Sequence, residues 1–325
     1  MSMISTSDGP PEPTEPVAPQ STVSEARKWR NFALAWGAVV VALLAFDIPR
    51  AAFVDWTRGV FADLGNARYL VAVAVNGFAN LIFGAIPFIM IEWLSQERGA
   101  RISFLRALRW PLMLWVAYFT FGTLAKAIGF GFRYVTGIGS LEAFTSWPLW
   151  AQLIVYALLL DFFHYWFHRL EHRVPFLWRF HSTHHSIENL SALNSVNHWF
   201  ESAFRFFGVL LPTTLILPYP DGVVQGLALI WATWVHYIHS DAKVLQMPRA
   251  LRFVFVDNLF HHYHHGRERA FHDSNFGDML SIWDHLFGTA TMPEGDAFPD
   301  TGVEGLPPPR SFKEYALHPF WHPKA

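Results

Sequence analysis

The sequence predicts an all-α protein, an integral membrane helical bundle of four or more transmembrane helices with a histidine-rich helical cap on the cytoplasmic side. Three observations predict it. The 325 residues are 52% hydrophobic and 17% aromatic but only 15% charged, where an ordinary soluble domain is about 25% charged. Apolar runs recur with lengths near the roughly 20 residues that a helix needs to cross a bilayer. The histidines, 17 in all, crowd beyond the end of the fourth run instead of scattering along the chain.

Residues 1–28 are rich in Ser, Thr, Pro and Glu and contain no apolar core, so they are expected to be a disordered tail and not a signal peptide. Residues 29–146 form the expected N-terminal transmembrane region. Its apolar runs cover 32–48, preceded by Arg27, Lys28 and Arg30, then 69–94, then 110–130, which Lys126 and several glycines interrupt. Arg98, Arg101, Arg106 and Arg109 lie between the second and third runs. The excess of basic residues in cytoplasmic loops places that loop and the N-terminus in the cytoplasm. Four crossings then bring the chain out on the same side after the fourth run, which starts at Trp147 and leads directly into the histidines. Two further runs, 200–217 and 223–238, flank Pro218, Pro220 and Gly222. They read as a hairpin or a full return, because His198 opens the first while His236 and His239 close the second. From Asp241 onward no run reaches membrane length. The histidine-box domain is expected over 147–290, followed over 291–325 by a Pro-rich, loosely ordered tail in which His318 and His322 face solvent.

The chemistry lies in the histidines. Residues 161–186 hold six of the 17, and the chain has no cysteine, so any metal must be bound through nitrogen and oxygen. His164, His168 and His172 are four apart and form one ridge of a helix. His181-x-x-His184-His185 and His261-x-x-His264-His265 repeat an i, i+3, i+4 spacing whose imidazoles are expected to converge. One HxxxH box and two HxxHH boxes give eight candidate ligands, which, with His198, His236 and His239 in reserve, exceed the three or four protein ligands of one tetrahedral zinc and so point to two metals. Imidazole suits iron, zinc, copper and nickel alike. With 24 basic against 26 acidic residues and no basic stripe, the footprint of a nucleic-acid binder is missing.

At these residues the chain resembles a known family. Asp161-Phe-Phe-His-Tyr-Trp-Phe-His-Arg-Leu-Glu-His and Pro175-x-Leu-Trp-Arg-Phe-His181-x-x-His-His-Ser186 are similar to the first two boxes of the fatty acid hydroxylase and sterol desaturase superfamily. So are His198-x-x-Glu201, the His239-Ser240 pair, the box at His261, and Asn275-Phe-Gly-Asp-x-Leu-x-x-Trp-Asp-x-Leu-Phe-Gly-Thr289. The resemblance implies a non-haem di-iron, dioxygen-dependent membrane enzyme that hydroxylates or desaturates a lipid or sterol. It implies two iron ions, replaceable by zinc in a preparation, on His168, His172, His181, His184, His185, His261, His264 and His265, completed by His239 and one of His198 or His236. No fused cytochrome b5-like domain is visible, so electrons are expected from a separate cytochrome b5-like protein, ferredoxin or reductase. Asp161, Glu201, Asp278 and Asp284 stand near the boxes and are expected to receive imidazole N–H groups. Two positions depart from the family pattern: His164 stands where an aromatic is expected, and His239-Ser is followed by Asp and not Asn.

Blander and rival readings stand beside this one. His168-x-x-Glu171-His172 is also the inverted zinc-protease string, with Glu171 as general base, but that reading leaves both HxxHH boxes unexplained. A metal or heme carrier needs only one pair of facing histidines. His262, His272 and His285 read as neighbours of the site or as solvent-facing. The aromatic residues are most simply core and interfacial belt, with a lipid tunnel along Phe163, Phe167 or Trp199 as the sharper reading. Substrate identity stays open.

Overall fold

The structure, a computed structural model, describes residues 24–60, 84–95, 141–195, 197–217 and 221–321, with six positions between 128 and 136. All regular elements among them are helical; extended backbone pairs only at three isolated bridges. Helix α1 is Glu25–Val60, and α2 is Gly84–Ser95. The stretches Glu25–Ala45 and Leu149–Arg173 are long and apolar enough to cross a membrane. Nearly all of the expected third run, most of the second, the arginines at 98–109, residues 1–23, residues 218–220 and His322 lie outside the described residues.

Helix α3, Leu149–Arg173, and helix α4, Pro175–His185, are separated by Val174 alone, which is extended at φ −97° and ψ 112°. The cause is local. Pro175 clashes with a helical conformation at the residue before it, yet fits the first turn of a helix, where its missing N–H is not needed. The chain therefore breaks and restarts at once, and α4 packs back along α3.

Helices α5, Trp199–Arg205, and α6, Leu211–Ile216, are joined by a π-helical turn, Phe206–Leu210. Gly208 in that turn lies against Phe167 of α3 so closely that an added Cβ would sit 2.0 Å from the ring. Phe167 precedes His168, so Gly208→Ala should shift a candidate ligand. We expect it to cost about 1–3 kcal/mol, typical of overpacking, seen as a lower melting temperature together with a lower bound-metal content.

Helix α7, Asp221–Ile238, returns toward the histidines, and α8, Asn258–His264, carries the third box. Asp257 caps α8: its Oδ1 accepts from Phe260 N at 2.8 Å while Oδ2 accepts from Met247 N and from the buried Arg252 Nε. A core of Val39, Phe88, Tyr237, Ile238, Leu245, Val256 and Phe260 then fixes α8 to α1, α2 and α7. Glu92 adds a polar tie, one carboxylate oxygen accepting from Ala192 N at 2.8 Å and from Asp241 N at 3.1 Å. Helix α9 is Ile282–Phe287, ended by Gly288 in the left-handed region at φ 71°, where a residue without Cβ is favoured.

The C-terminal stretch departs from expectation. Instead of a loose tail, Phe312–Trp321 forms helix α10, which packs on α4. Tyr315 is fully buried and donates to the carbonyl of Asn197 at 2.6 Å. His318 is not a solvent residue either: it is 3% exposed and bridges Thr183 Oγ1 and the carbonyl of Pro307, both at 3.1 Å. Proline-rich chain cannot continue a helix, but here it leads into one whose aromatic and histidine side chains find partners.

Candidate metal centre

Nine histidines gather at two points. His168, His172, His181, His185 and His264 each bring one ring nitrogen within 4.8 Å of the others, and His184, His239, His261 and His265 do the same. Helix α3 supplies the first two, α4 the next three, the residue after α7 supplies His239, and α8 with its C-terminal residue supplies the last three.

The HxxHH boxes do not each converge, as their spacing suggested; they divide. His181 and His185 go to the five-histidine point and His184 to the other, whereas His261 and His265 go to the four-histidine point and His264 to the first. The reason is helical geometry. At 3.6 residues per turn, i and i+4 lie about 40° apart, but adjacent residues are about 100° apart and face different sides. Each box thus serves both points, and the two boxes exchange one histidine each.

The backs of the rings show which nitrogen faces inward. Nδ1–H of His168 donates to the carbonyl of Phe276 at 2.8 Å, that of His264 to Ser274 at 2.7 Å, and that of His239 to Val235 at 2.7 Å. His181 Nδ1–H donates to Glu201 Oε1 at 3.0 Å. Each bond fixes the ring proton on Nδ1 and leaves Nε2 as a bare lone pair. His168 Nε2 and His181 Nε2 nevertheless face each other at 3.0 Å. Two lone pairs at that distance repel, and a shared cation removes the repulsion. His172 Nε2 and His264 Nε2 are buried with no hydrogen-bond partner, which is the same signature. Burial first, then crowding among imidazoles, holds His184, His185, His261 and His265 well below the usual histidine range. All four are therefore neutral, the form that binds metal. An all-imidazole set of this kind fits a pair of transition-metal ions.

Behind His181 lies a charged network. Arg205 Nη2 donates to Glu171 Oε2 at 3.0 Å and approaches Glu201 Oε1 at 2.9 Å, and Nε donates to Glu201 Oε1 at 3.1 Å. Burial alone would raise the Glu201 carboxyl, but His181 and Arg205 outweigh it and hold it at about 2. Glu171, His181 and Glu201 could themselves hold a cation by geometry, yet the guanidinium already fills that role. Arg205 Nη1 also donates to His164 Nε2 at 2.6 Å. His164 accordingly belongs to neither point, although it shares the ridge of His168 and His172.

Other expected site residues lie elsewhere. His198 caps α5, its Nδ1 accepting from Phe200 N at 3.3 Å, and stacks on Tyr315. His236 Nδ1–H donates to the carbonyl of Ala192 at 2.6 Å. Neither is in a metal-capable group. Asp161 and Asp284 were expected to receive imidazole N–H groups and instead hold backbone. Asp161 accepts from Met279 N, Leu280 N and Trp283 Nε1. Asp284 accepts from Phe276 N, Gly277 N and Thr289 Oγ1. Together they fix the 276–284 loop, whose Phe276 carbonyl orients His168, so their effect on that ligand passes through the loop. Asp278 bonds Trp231, not a histidine. His262 donates to the carbonyl of Asn258 at 2.6 Å and lies against Phe298. Sequence reasoning missed Arg205, Glu92 and Asp257. Only Asp257 carried a local signal, an acidic residue directly before a helix.

Comparison with known proteins agrees with this geometry. A family model described as fatty acid hydroxylase matches residues 153–289. Ornithine lipid hydroxylase OlsE of Rhizobium tropici is 30% identical over 49% of this chain and 48% of its own length. Human alkylglycerol monooxygenase is 31% identical over 40% of this chain and 28% of its own length. Fatty acid hydroxylase vlmA of Lecanicillium sp is 28% identical over 56% and 53% respectively. The match thus spans about half or less of these relatives. No solved structure matches the chain.

Proposed function

We propose, from the premise that this chain belongs to the fatty acid hydroxylase superfamily, that it is a multi-pass membrane oxidoreductase that inserts oxygen from dioxygen into a C–H bond of a membrane lipid. The observation that carries this reading is the gathering of nine imidazole nitrogens at two points, with two lone pairs facing at 3.0 Å. Two iron ions would be held there, one by His168, His172, His181, His185 and His264 and the other by His184, His239, His261 and His265. When bound, the ions supply the dioxygen and redox chemistry. The chain's own residues do the rest: burial excludes water, the carbonyls of Phe276, Ser274 and Val235 and the Glu201 carboxylate orient the rings, and Arg205 balances the carboxylates. Four or more crossings with the histidines at the cytoplasmic face suit a lipid or sterol substrate that arrives from the bilayer and electrons that arrive from a separate donor. Hydroxylation is favoured over desaturation because the relatives are named as hydroxylases and a monooxygenase.

The peptidase reading is disfavoured by one contact set. Glu171, its required general base, is 1% exposed and accepts two hydrogen bonds from Arg205, so it is shut off from solvent and already paired with a cation. Glu171→Gln should therefore reduce activity less than His184→Ala; abolished activity with metal retained in Glu171→Gln would support the peptidase instead. The direct test is metal analysis of purified protein with lipid profiling of cells that make it. About two irons per chain and a lipid heavier by one oxygen are expected. A single zinc, with dioxygen uptake indifferent to reductant, would sink the proposal.

A further inference from the structure

The two points share ligand chemistry but differ in what stands behind the ligands. At the five-histidine point three rings are fixed from behind: His168 by the carbonyl of Phe276, His264 by that of Ser274, and His181 by the carboxylate of Glu201. At the four-histidine point only His239 is fixed, by the carbonyl of Val235. Nδ1 of His184, His261 and His265 is buried and has no hydrogen-bond partner. Those three rings have no acceptor to set their tautomer. His261 and His184 lie 3.0 and 3.3 Å from His239 Nε2, and either can turn a protonated Nε2 toward that lone pair, giving a hydrogen bond that a metal must break. At the first point His185 Nε2, 3.1 Å from His181 Nε2, can do the same, but His168 and His181 both carry their protons outward and still present two lone pairs to each other at 3.0 Å. Glu201 is also the only carboxylate among these outer partners, and a carboxylate behind an imidazole makes it a stronger donor than a carbonyl does.

We infer that the metal at the five-histidine point is retained in preference to the one at the four-histidine point, and that Glu201 is the positioning residue responsible for most of the difference. Arg205 makes this workable by neutralising Glu201, while its Nη1 donates to His164, which lies in neither metal group. The two ions are then not equivalent: one is a resident and the other exchanges.

This rests on the two-ion reading above, and one experiment separates failure of the two. Full-length protein in detergent, loaded anaerobically with iron(II), is exposed to excess bipyridine, and metal per chain is followed with time. Two phases of one ion each are expected, with rates at least about tenfold apart, the lower end of what outer hydrogen-bond partners are worth. In Glu201→Gln, which keeps size and the Arg205–Glu171 pair, the slow phase should accelerate by about 10 to 100-fold while the fast phase is unchanged. Glu201→Asp should lie between. Should Glu201→Gln not fold, metal-free wild type titrated with cobalt(II) must still fill in two spectrally distinct steps. Loading of fewer than two ions defeats the two-ion reading itself. Two ions that leave in a single phase, or a Glu201→Gln effect on the fast phase or on neither, overturn this inference alone.

Discussion

His264→Ala will empty the five-histidine point, whereas His261→Ala and His265→Ala, in the same box, will empty the other. His264 is the only ligand that the third box contributes to the first point, while His261 and His265 complete the second with His184 and His239. The loss of a directly bound imidazole should exceed the roughly 10 to 100-fold that an outer partner is worth in metal affinity, so each variant should keep about one ion and lose oxygenase activity by two orders of magnitude or more. Metal analysis gives the count, and Mössbauer or cobalt spectra identify which ion remains. His184→Ala should resemble His261→Ala, although it comes from the second box. If variants instead fell into classes by box, with His184→Ala matching His181→Ala, the exchange between boxes would be wrong.

Arg205→Leu will destabilise the fold by about 3–5 kcal/mol, because it strands two carboxylates that are each 1% exposed without their shared cation. Removing one partner of a buried ion network is costly mainly for the charge left behind. Adding Glu171→Gln to Arg205→Leu should therefore recover part of the loss, and the double-mutant cycle should show coupling. Arg205→Lys retains charge but cannot donate to Glu171, Glu201 and His164 from one planar group, so it should fall between. Thermal unfolding in detergent with and without metal, on wild type, both single variants, the double variant and Arg205→Lys, measures these effects. An Arg205→Leu protein that melts with wild type would mean that the carboxylates protonate at little cost.

All nine clustered histidines were legible in the sequence because helical spacing of histidines is a local signal. Their division between two points was not. Spacing fixes which residues share a face, but the approach of α8 toward α4 decides which ring meets which, and that depends on the core between α1, α2, α7 and α8. His164 shares the ridge but neither point, for a similar reason: its partner Arg205 is 41 residues away in sequence. Carboxylates near the boxes were recognised as supporting groups, but only Glu201 supports a ring directly. Asp161 and Asp284 act on backbone across 118 and 8 residues, a role with no sequence pattern. At the C-terminus the proline content masked a short helix whose two anchoring side chains, Tyr315 and His318, carry no periodic signature.

The exchange of histidines between boxes also bears on assembly. Neither socket exists within a short peptide: the first spans from His168 to His264 and the second from His184 to His265. Both close only when the stretch around α8 comes home, so the entropy of joining distant chain is incurred once for two sockets. Docking that completes one completes the other, and an ion in either acts as a clasp for the same joint. Loss of the exchangeable ion would thus leave the joint shut, and it would open only once the resident ion had left as well.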